Sequence, residues 1–502
     1  MDTLISTKLW RLALVDRLAG DVYDALLCGF GFDVDITARG LRMTFFGYDD
    51  KLAEFVTLVT GRIKSFDLEN PYGGGSLVNG LETPQQLFDR QKELLRREVQ
   101  AFDKQQPYQF CKYFEASITE QPHFSRESLQ AALERATLAQ VAVRAKANFD
   151  GGFGKALLQG NLNMEDANGI FGTLESTFPG QSGVLDSGSD DIARWTRLPA
   201  KTYALVPTVA EMVQAGYLSS SAVSSSAPTS TSYPFYPTIS RSGFDPSNVN
   251  SAVEFVWQFP ETQQAFFEGW PSKSTSYVSP LSAFPDLPST ALRYAATAEV
   301  YAALLEEPIF DTLRTKQQLG YIVFSGLRNV DGVRSFVIIV QSSAYPANVL
   351  HDRVADFVAG LLTEDENGVG GILGGLSDAY VAKVAAGLIE KKISTEKRLV
   401  QQVGRHWEEI ISGTFEWDRA TSEAAALQKV DLKAILAFQK AVVGPNSPFR
   451  RVVAYHVNGK SGSSKEPPSP SIAFIRRDLQ ELQRDLQPLP LQDQDRRRKE
   501  TG

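Results

Sequence analysis

The sequence predicts an α+β protein built from two tandem, homologous units, each with an antiparallel-rich sheet covered by helices. Three observations lead there. The order helix, β-hairpin, helix, several helices, lone strand can be read twice, over 1–210 and over 251–460. A stretch rich in Ser, Thr and Pro, "LSSSAVSSSAPTSTSYPFYPTISRSG" (218–243), lies between them, so 211–250 reads as a linker. The length of 502 residues also exceeds one ordinary core, at roughly 150 residues per domain.

In the first unit, Ile5, Leu9, Leu12, Val15, Leu18, Val22 and Ala25 recur at spacings of three and four, which predicts a helix over 5–27. "FDVDITARGLRMTF" alternates apolar and polar residues on both sides of Gly40 and reads as a hairpin. Asp49 and Asp50 open a helix to about Ile63. After the "NPYGGGS" loop, helices are expected near 83–103, 108–119 and 125–146. "KALLQGNL" (Lys155–Leu162) reads as a buried strand, and a helix starts at Met164.

The second unit repeats this order. A strand "SAVEFVWQF" (251–259) is followed by a helix over about 289–315. "YIVFSGL" and "SFVIIVQSS" form a hairpin about Asp331-Gly332. Helices are expected near 346–362, 376–391, 396–411 and 431–442, with a last strand, "RVVAYHVN", ending at Asn458. The tail, 461–502, is polar, with one short helix expected over 472–487.

A net charge of −8 argues against a nucleic-acid partner, which favours a basic stripe. Cys28 and Cys111 are too few for a disulfide framework or a Cys-ligated zinc site, and they suit a reducing compartment. Charges scattered through residues 1–30 break any leader-like apolar core. No apolar run reaches the roughly 18 residues of a membrane span.

Only His123, His351, His406 and His456 could supply imidazole ligands. "HWEEI" has His406 and Glu409 in the H-x-x-E-H spacing, but Ile410 stands where the second His is needed. No H-E-x-x-H, G-x-S-x-G or Walker motif occurs, and Leu373 spoils a dinucleotide reading of "GVGGILGG". No metal ligands are therefore expected in this chain.

Two basic features remain. In "FDTLRTKQQLGYIVFSG", Arg314 and Tyr321 lie seven residues apart at a helix-to-strand junction. Arg314 and Lys316 can simply offset the helix dipole while Tyr321 packs as a strand residue. Alternatively, Arg314 and Tyr321 are donors aimed at a peptide carbonyl. The run "EKKISTEKR" (390–398) is either a solvated face or an anion site.

The stretch "EEPIFDTLRTKQQLGYIVFSG" resembles the C-terminal half of the pitrilysin/insulysin family of zinc metallopeptidases. "TARGLRMTFFGYDDKL", "QQPYQFCKYF", "LLQGNL" (the family reads LLHGN), "HWEEIISGTFEWDRA" and "LQELQRDLQPLPL" follow in matching order. The likeness covers about 8–491 and is most specific at 305–326. It implies two tandem α/β-roll domains, the family's third and fourth, with the third shortened at its N-terminus. It implies peptide substrates, zinc in the complete enzyme but none bound by this chain, and an N-terminal zinc-bearing half on the same gene or a separate chain. By the same resemblance Arg314 and Tyr321 contact substrate and transition state, and Lys397 and Arg398 bind substrate or polyanions. The implied reading is the substrate-binding half of a peptidase, incomplete alone; the alternative is a non-catalytic peptide-binding or assembly subunit. A homodimer and a cytoplasmic setting are also expected, with mitochondria or another organelle left open.

Overall fold

The computed structural model describes residues 1–37, 40–71, 82–121, 123–149, 154–178, 202–203, 206, 209–218, 236–260, 286–288, 290–330, 333–361, 371–412, 415–444, 447, 450–460 and 472–475. The chain packs into two units. The first comprises residues 1–102, 124–201 and 396–414, and the second 103–123, 202–395 and 415–502. Against the expected bounds 1–210, 211–250 and 251–460, the second unit also takes in 103–123 and 202–250, and the first takes in 396–414.

The first unit is mainly helical. The helix Asp2–Asp21 buries Ile5, Leu9, Trp10, Ala13, Leu14 and Leu18 along one stripe. That stripe packs against the helices Pro84–Ala101, Arg126–Arg135 and Leu138–Ala147. The expected helix 125–146 is in fact two, because Thr137 caps a new start through a capping box with Gln140. The helix expected over 5–27 breaks at Val22 and resumes as Tyr23–Leu27. Strands β1 (Gly31–Thr37) and β2 (Gly40–Phe46) form the expected hairpin, with Val34 opposite Met43. Lys155–Gln159 is not the expected buried strand. It is irregular and partly exposed, and no described strand lies alongside to complete a ladder.

The second unit is built on a mixed sheet. Its strands are β3 (Glu120–Gln121), β4 (Thr202–Tyr203), β5 (Tyr236–Ser242), β6 (Ser251–Pro260), β7 (Ile322–Val330), β8 (Val333–Ser342), β9 (Val452–Asn458) and β10 (Ile472–Phe474). β3 and β4 pair with each other, and the other six run in the order β10-β5-β9-β6-β8-β7. β5 is parallel to β9 and to β10, and the remaining pairs are antiparallel. β5 lies inside the stretch read as linker. The expected helix 472–487 begins instead as β10, because Ile472–Phe474 find ladder partners at Tyr236–Thr238; the remainder lies outside the described residues.

All ten residues of β8 are buried. A strand covered on both faces reads as a continuous apolar run, as "FVIIV" does. One face meets the helices Ala291–Ile309 and Ala347–Ala359. The helix Pro107–Thr119 packs on β6, β8 and β9, burying Phe110, Cys111, Phe114 and Ile118. That i, i+4, i+8 stripe is what draws 103–123 into the second unit. No described helix is long and apolar enough to cross a membrane.

Glu254, Glu115 and Arg328 come together in the second unit. Arg328 of β7 donates to Glu115 of the helix Pro107–Thr119 and to Glu254 of β6. Burial, and then the charge of Glu115, push Glu254 up to about 7. The folded chain therefore holds a proton that the unfolded chain releases near 4.5. Between those two pH values the native state binds more protons, so stability falls as pH rises through about 7. Glu254→Gln is expected to remove this decline, gaining on the order of 1–3 kcal/mol at pH 8 relative to its effect at pH 5. Urea unfolding of both proteins at the two pH values measures it, and equal differences would refute the assignment.

Candidate functional site

The helix Ala291–Ile309 starts at Thr290, whose side chain accepts from the Arg293 N–H. Tyr294, Ala298, Tyr301 and Leu305 anchor it in the core. Near its end stands Pro308, which has no N–H to return to the Leu304 carbonyl and whose ring crowds that turn. The backbone then widens into a π-helix over Phe310–Lys316, with the Gln317 N–H on the Thr312 carbonyl at 3.0 Å.

The exit from this helix is sterically fixed. Gln318 has φ of +50°, a left-handed conformation that is costly for a residue with a Cβ. The Leu319 N–H returns to the Leu313 carbonyl at 3.0 Å, and both leucines are buried, as in a helix C-terminal cap. At Gly320 a Cβ would lie 1.8 Å from the Gln341 carbonyl oxygen, so only glycine lets the backbone approach β8 there.

This geometry presents Tyr321 to solvent, 87% exposed, just ahead of β7. The seven-residue spacing then acquires meaning. The widened turn and the left-handed kink bring the Arg314 Cζ to 5.6 Å from the centre of the Tyr321 ring. A guanidinium over an aromatic face is attractive and orients both groups. Phe310, Arg314, Thr315 and Gln318 line an open depression of roughly 480 Å³ beside them. Lys316 is engaged elsewhere, with its Nζ 2.7 Å from Asp311. Such a site offers a phenol O–H and a guanidinium as donors, on a backbone that cannot easily move.

Lys397 and Arg398 belong to the first unit. Both are exposed in the turn before the helix Leu399–Ser412, where their backbone N–H groups donate to Gln401 Oε1 at 3.1 and 3.2 Å. Within the same basic run, Lys392 belongs to the second unit and pairs with Glu299 and Glu423.

A zinc does not fit the described residues around His406. Ile410 has no donor side chain, and its carbonyl accepts from Lys155 Nζ at 3.0 Å. His406 Nδ1 lies 3.0 Å from Gln159 Oε1. In the second unit, His351 Nδ1 and His456 Nε2 are 2.9 Å apart in the core, where burial pushes His456 down to about 3. Among the described residues no three His, Cys, Asp or Glu side chains converge on one point. Zinc sites need three or four such ligands.

Sequence reasoning did not reach Phe310, Thr315, Gln318 and Gly320. Pro308 within a helical pattern, followed by "QLGY", was the available signal.

Two family models match the chain. One, described as "PQQ synthase PqqF-like, C-terminal lobe domain 4", matches residues 300–407. The other, "Middle or third domain of peptidase_M16", matches residues 1–132. Human insulin-degrading enzyme is 23% identical over 446 residues, which is 88% of this chain and 35% of that protein. Human nardilysin is 31% identical over 170 residues, 34% of this chain and 14% of that protein. The chain thus spans about a third of the length of the insulin-degrading enzymes it matches. The crystal structure of pitrilysin shares the fold with a TM-score of 0.65 at 14% identity, covering 96% of this chain and 42% of that one. A conserved protein from Enterococcus faecalis V583 has a TM-score of 0.51 at 11% identity, covering 92% and 91%. With a third-domain match at one end, a fourth-domain match towards the other and insulin-degrading enzyme aligned along most of its length, this chain is similar to the C-terminal region of insulysin-like M16 peptidases.

Proposed function

We propose that the chain is the substrate-binding half of a peptide-degrading, insulysin-like zinc peptidase, working with an N-terminal half that carries H-x-x-E-H. The observation that carries this reading is the Arg314–Tyr321 pair on its fixed turn. Zinc held by the other half supplies the Lewis acid and the activated water. On this chain, the Tyr321 O–H donates to the peptide oxygen on which negative charge develops. Arg314 grips the neighbouring backbone and holds the phenol ring in place. Lys397 and Arg398 bind substrate or polyanions. A cytoplasmic setting and self-association into a homodimer belong to the same proposal.

The second reading, a non-catalytic peptide-binding or assembly subunit, draws on the missing H-x-x-E-H. Under either reading the chain alone is inert. The purified chain is expected to carry far less than one zinc per molecule after dialysis and to leave insulin-sized peptides uncut. Metal analysis near one zinc per chain, or cleavage by the chain alone that a chelator stops, would overturn the proposal.

A further inference from the structure

A carboxamide inside a strand that is buried throughout costs stability unless both of its ends are bonded. Gln341 of β8 is such a residue. Its neighbour Val340 packs with Phe336 and Ile338 in the apolar core, so Gln341 points from the other face of the sheet. There it meets the start of the helix Pro107–Thr119. Gln341 Oε1 accepts from the Tyr108 N–H at 3.1 Å, and Gln341 Nε2 donates to Gln106 Oε1 at 2.9 Å. The Tyr108 N–H is one of the first-turn donors that a helix leaves without an internal partner, and Pro107 before it has none to give. A main-chain N–H can only donate, so it also fixes which end of the carboxamide is oxygen. The helix is itself fastened to the sheet further along, where Glu115 accepts from Arg328 of β7. The main chain of Gln341 faces the Tyr321 turn. It pairs with Ala252 of β6 and with Ile322 of β7. Its carbonyl oxygen is the atom that a Cβ on Gly320 would approach to 1.8 Å. Gln341 thus touches the helix with its side chain and the turn with its backbone.

We propose that Gln341 is a positioning residue for Tyr321. It acts without touching substrate. Tyr321 is exposed, so packing does little to place its ring, and the backbone ahead of it must do so. That backbone lies at Gly320 against the Gln341 carbonyl. Clamping the Gln341 carboxamide between Gln106 and Tyr108 fixes the side chain at both ends and steadies the peptide plane from which it springs. The plane in turn sets the direction in which the chain leaves for Tyr321, one residue on. Accuracy matters here, because a reacting group misplaced by about 1 Å can cost on the order of 10²-fold in rate. The inference rests on the peptidase reading of Tyr321, and it adds the start of the helix Pro107–Thr119 to the parts that place the phenol. A helix cap with no bearing on Tyr321 is the competing role for Gln341.

Two variants cut the clamp. Gln341→Met keeps the length of the side chain and loses both hydrogen bonds. Gln106→Ala removes one partner at an exposed position, which keeps the test available should Gln341→Met fold poorly. Gln341→Glu is the rescue. Its carboxylate still accepts from Tyr108 and suits a helix N-terminus, and the exposed Gln106 carboxamide can turn to donate. The first readout is fluorine NMR on the full chain alone, with 3-fluorotyrosine in place of Tyr321. Gln341→Met and Gln106→Ala are expected to move the signal towards its position in Arg314→Ala, where the ring has lost its guanidinium. Gln341→Glu should leave it where the unaltered chain has it. The second readout is steady-state hydrolysis by the chain combined with an H-x-x-E-H-bearing N-terminal half. Gln341→Met should lower kcat about tenfold and leave KM unchanged. Combined with Tyr321→Phe it should add no further loss, because a missing donor no longer needs placing. A fluorine signal that neither cut moves, a Gln341→Glu protein as impaired as Gln341→Met, or losses that multiply in the double variant would overturn the proposal and leave Gln341 as a helix cap. The fluorine readout needs no second half, so a moved signal in a chain whose mixture hydrolyses nothing would count against the catalytic reading alone.

Discussion

Tyr321→Phe is expected to lower peptide hydrolysis about 10²-fold when the chain is combined with an H-x-x-E-H-bearing N-terminal half, because one oxyanion donor is typically worth that much. The loss should fall mainly on kcat, since the phenol matters most when charge develops on the carbonyl oxygen. Stability should barely change, because Tyr321 is 87% exposed and its ring contact with Arg314 survives the substitution. Arg314→Ala should affect kcat and KM together, as the guanidinium grips the ground-state backbone and also steadies the phenol. Lys316→Ala is the control. It lies two residues away, but its ammonium is on Asp311, and an exposed pair of this kind contributes little. Steady-state kinetics on the three variants separates the readings. Equal, small losses for Tyr321→Phe and Lys316→Ala would return Arg314 and Tyr321 to a helix end and a strand residue.

Gly320→Ala is expected to be the most damaging single methyl group in the site. Its Cβ would meet the Gln341 carbonyl at 1.8 Å, and the backbone of an interior strand cannot give way cheaply. Overpacking of this kind costs about 1–3 kcal/mol, and the upper end is expected here. The chain between Leu319 and Ile322 would have to move away from β8, carrying Tyr321 with it. Loss of activity should therefore match or exceed that of Tyr321→Phe, accompanied by a lower urea midpoint. Gln318→Gly makes the contrast. It relieves the left-handed strain at φ +50°, so its effect on stability should stay within about 1 kcal/mol. A Gly320→Ala protein with wild-type stability and activity would show that the turn does not position the pair.

Much of the fold was legible because its signals are local. The alternation around Gly40 and the apolar stripe of the first helix each fix an element without tertiary information. The misread strands required partners remote in sequence. Lys155–Gln159 has strand-like composition but no described strand beside it, while Ile472–Phe474 gain one in β5. The helices 107–119 and 399–412 were legible as helices. Their unit was not, since a stripe of apolar residues does not name the surface it will cover.

The site divides the same way. Arg314 and Tyr321 could be picked out by residue type and spacing, and resemblance to a family gave the role proposed for them. Their approach could not be read, because it depends on the π-turn after Pro308 and on the left-handed Gln318. Gly320 is informative only once Gln341 is known to lie against it. The buried Glu115–Arg328–Glu254 cluster joins residues 213 and 74 positions apart, beyond the reach of any motif.

On the proposed function, this chain supplies peptide contacts to a zinc-bearing half. Mixing the purified chain with an insulysin-like N-terminal half and following cleavage of a quenched fluorescent peptide tests it most directly. kcat/KM is expected to rise at least tenfold over either part alone, to saturate with added chain and to collapse with Tyr321→Phe. A mixture no more active than the N-terminal half alone, under conditions where the two parts co-elute, would contradict it.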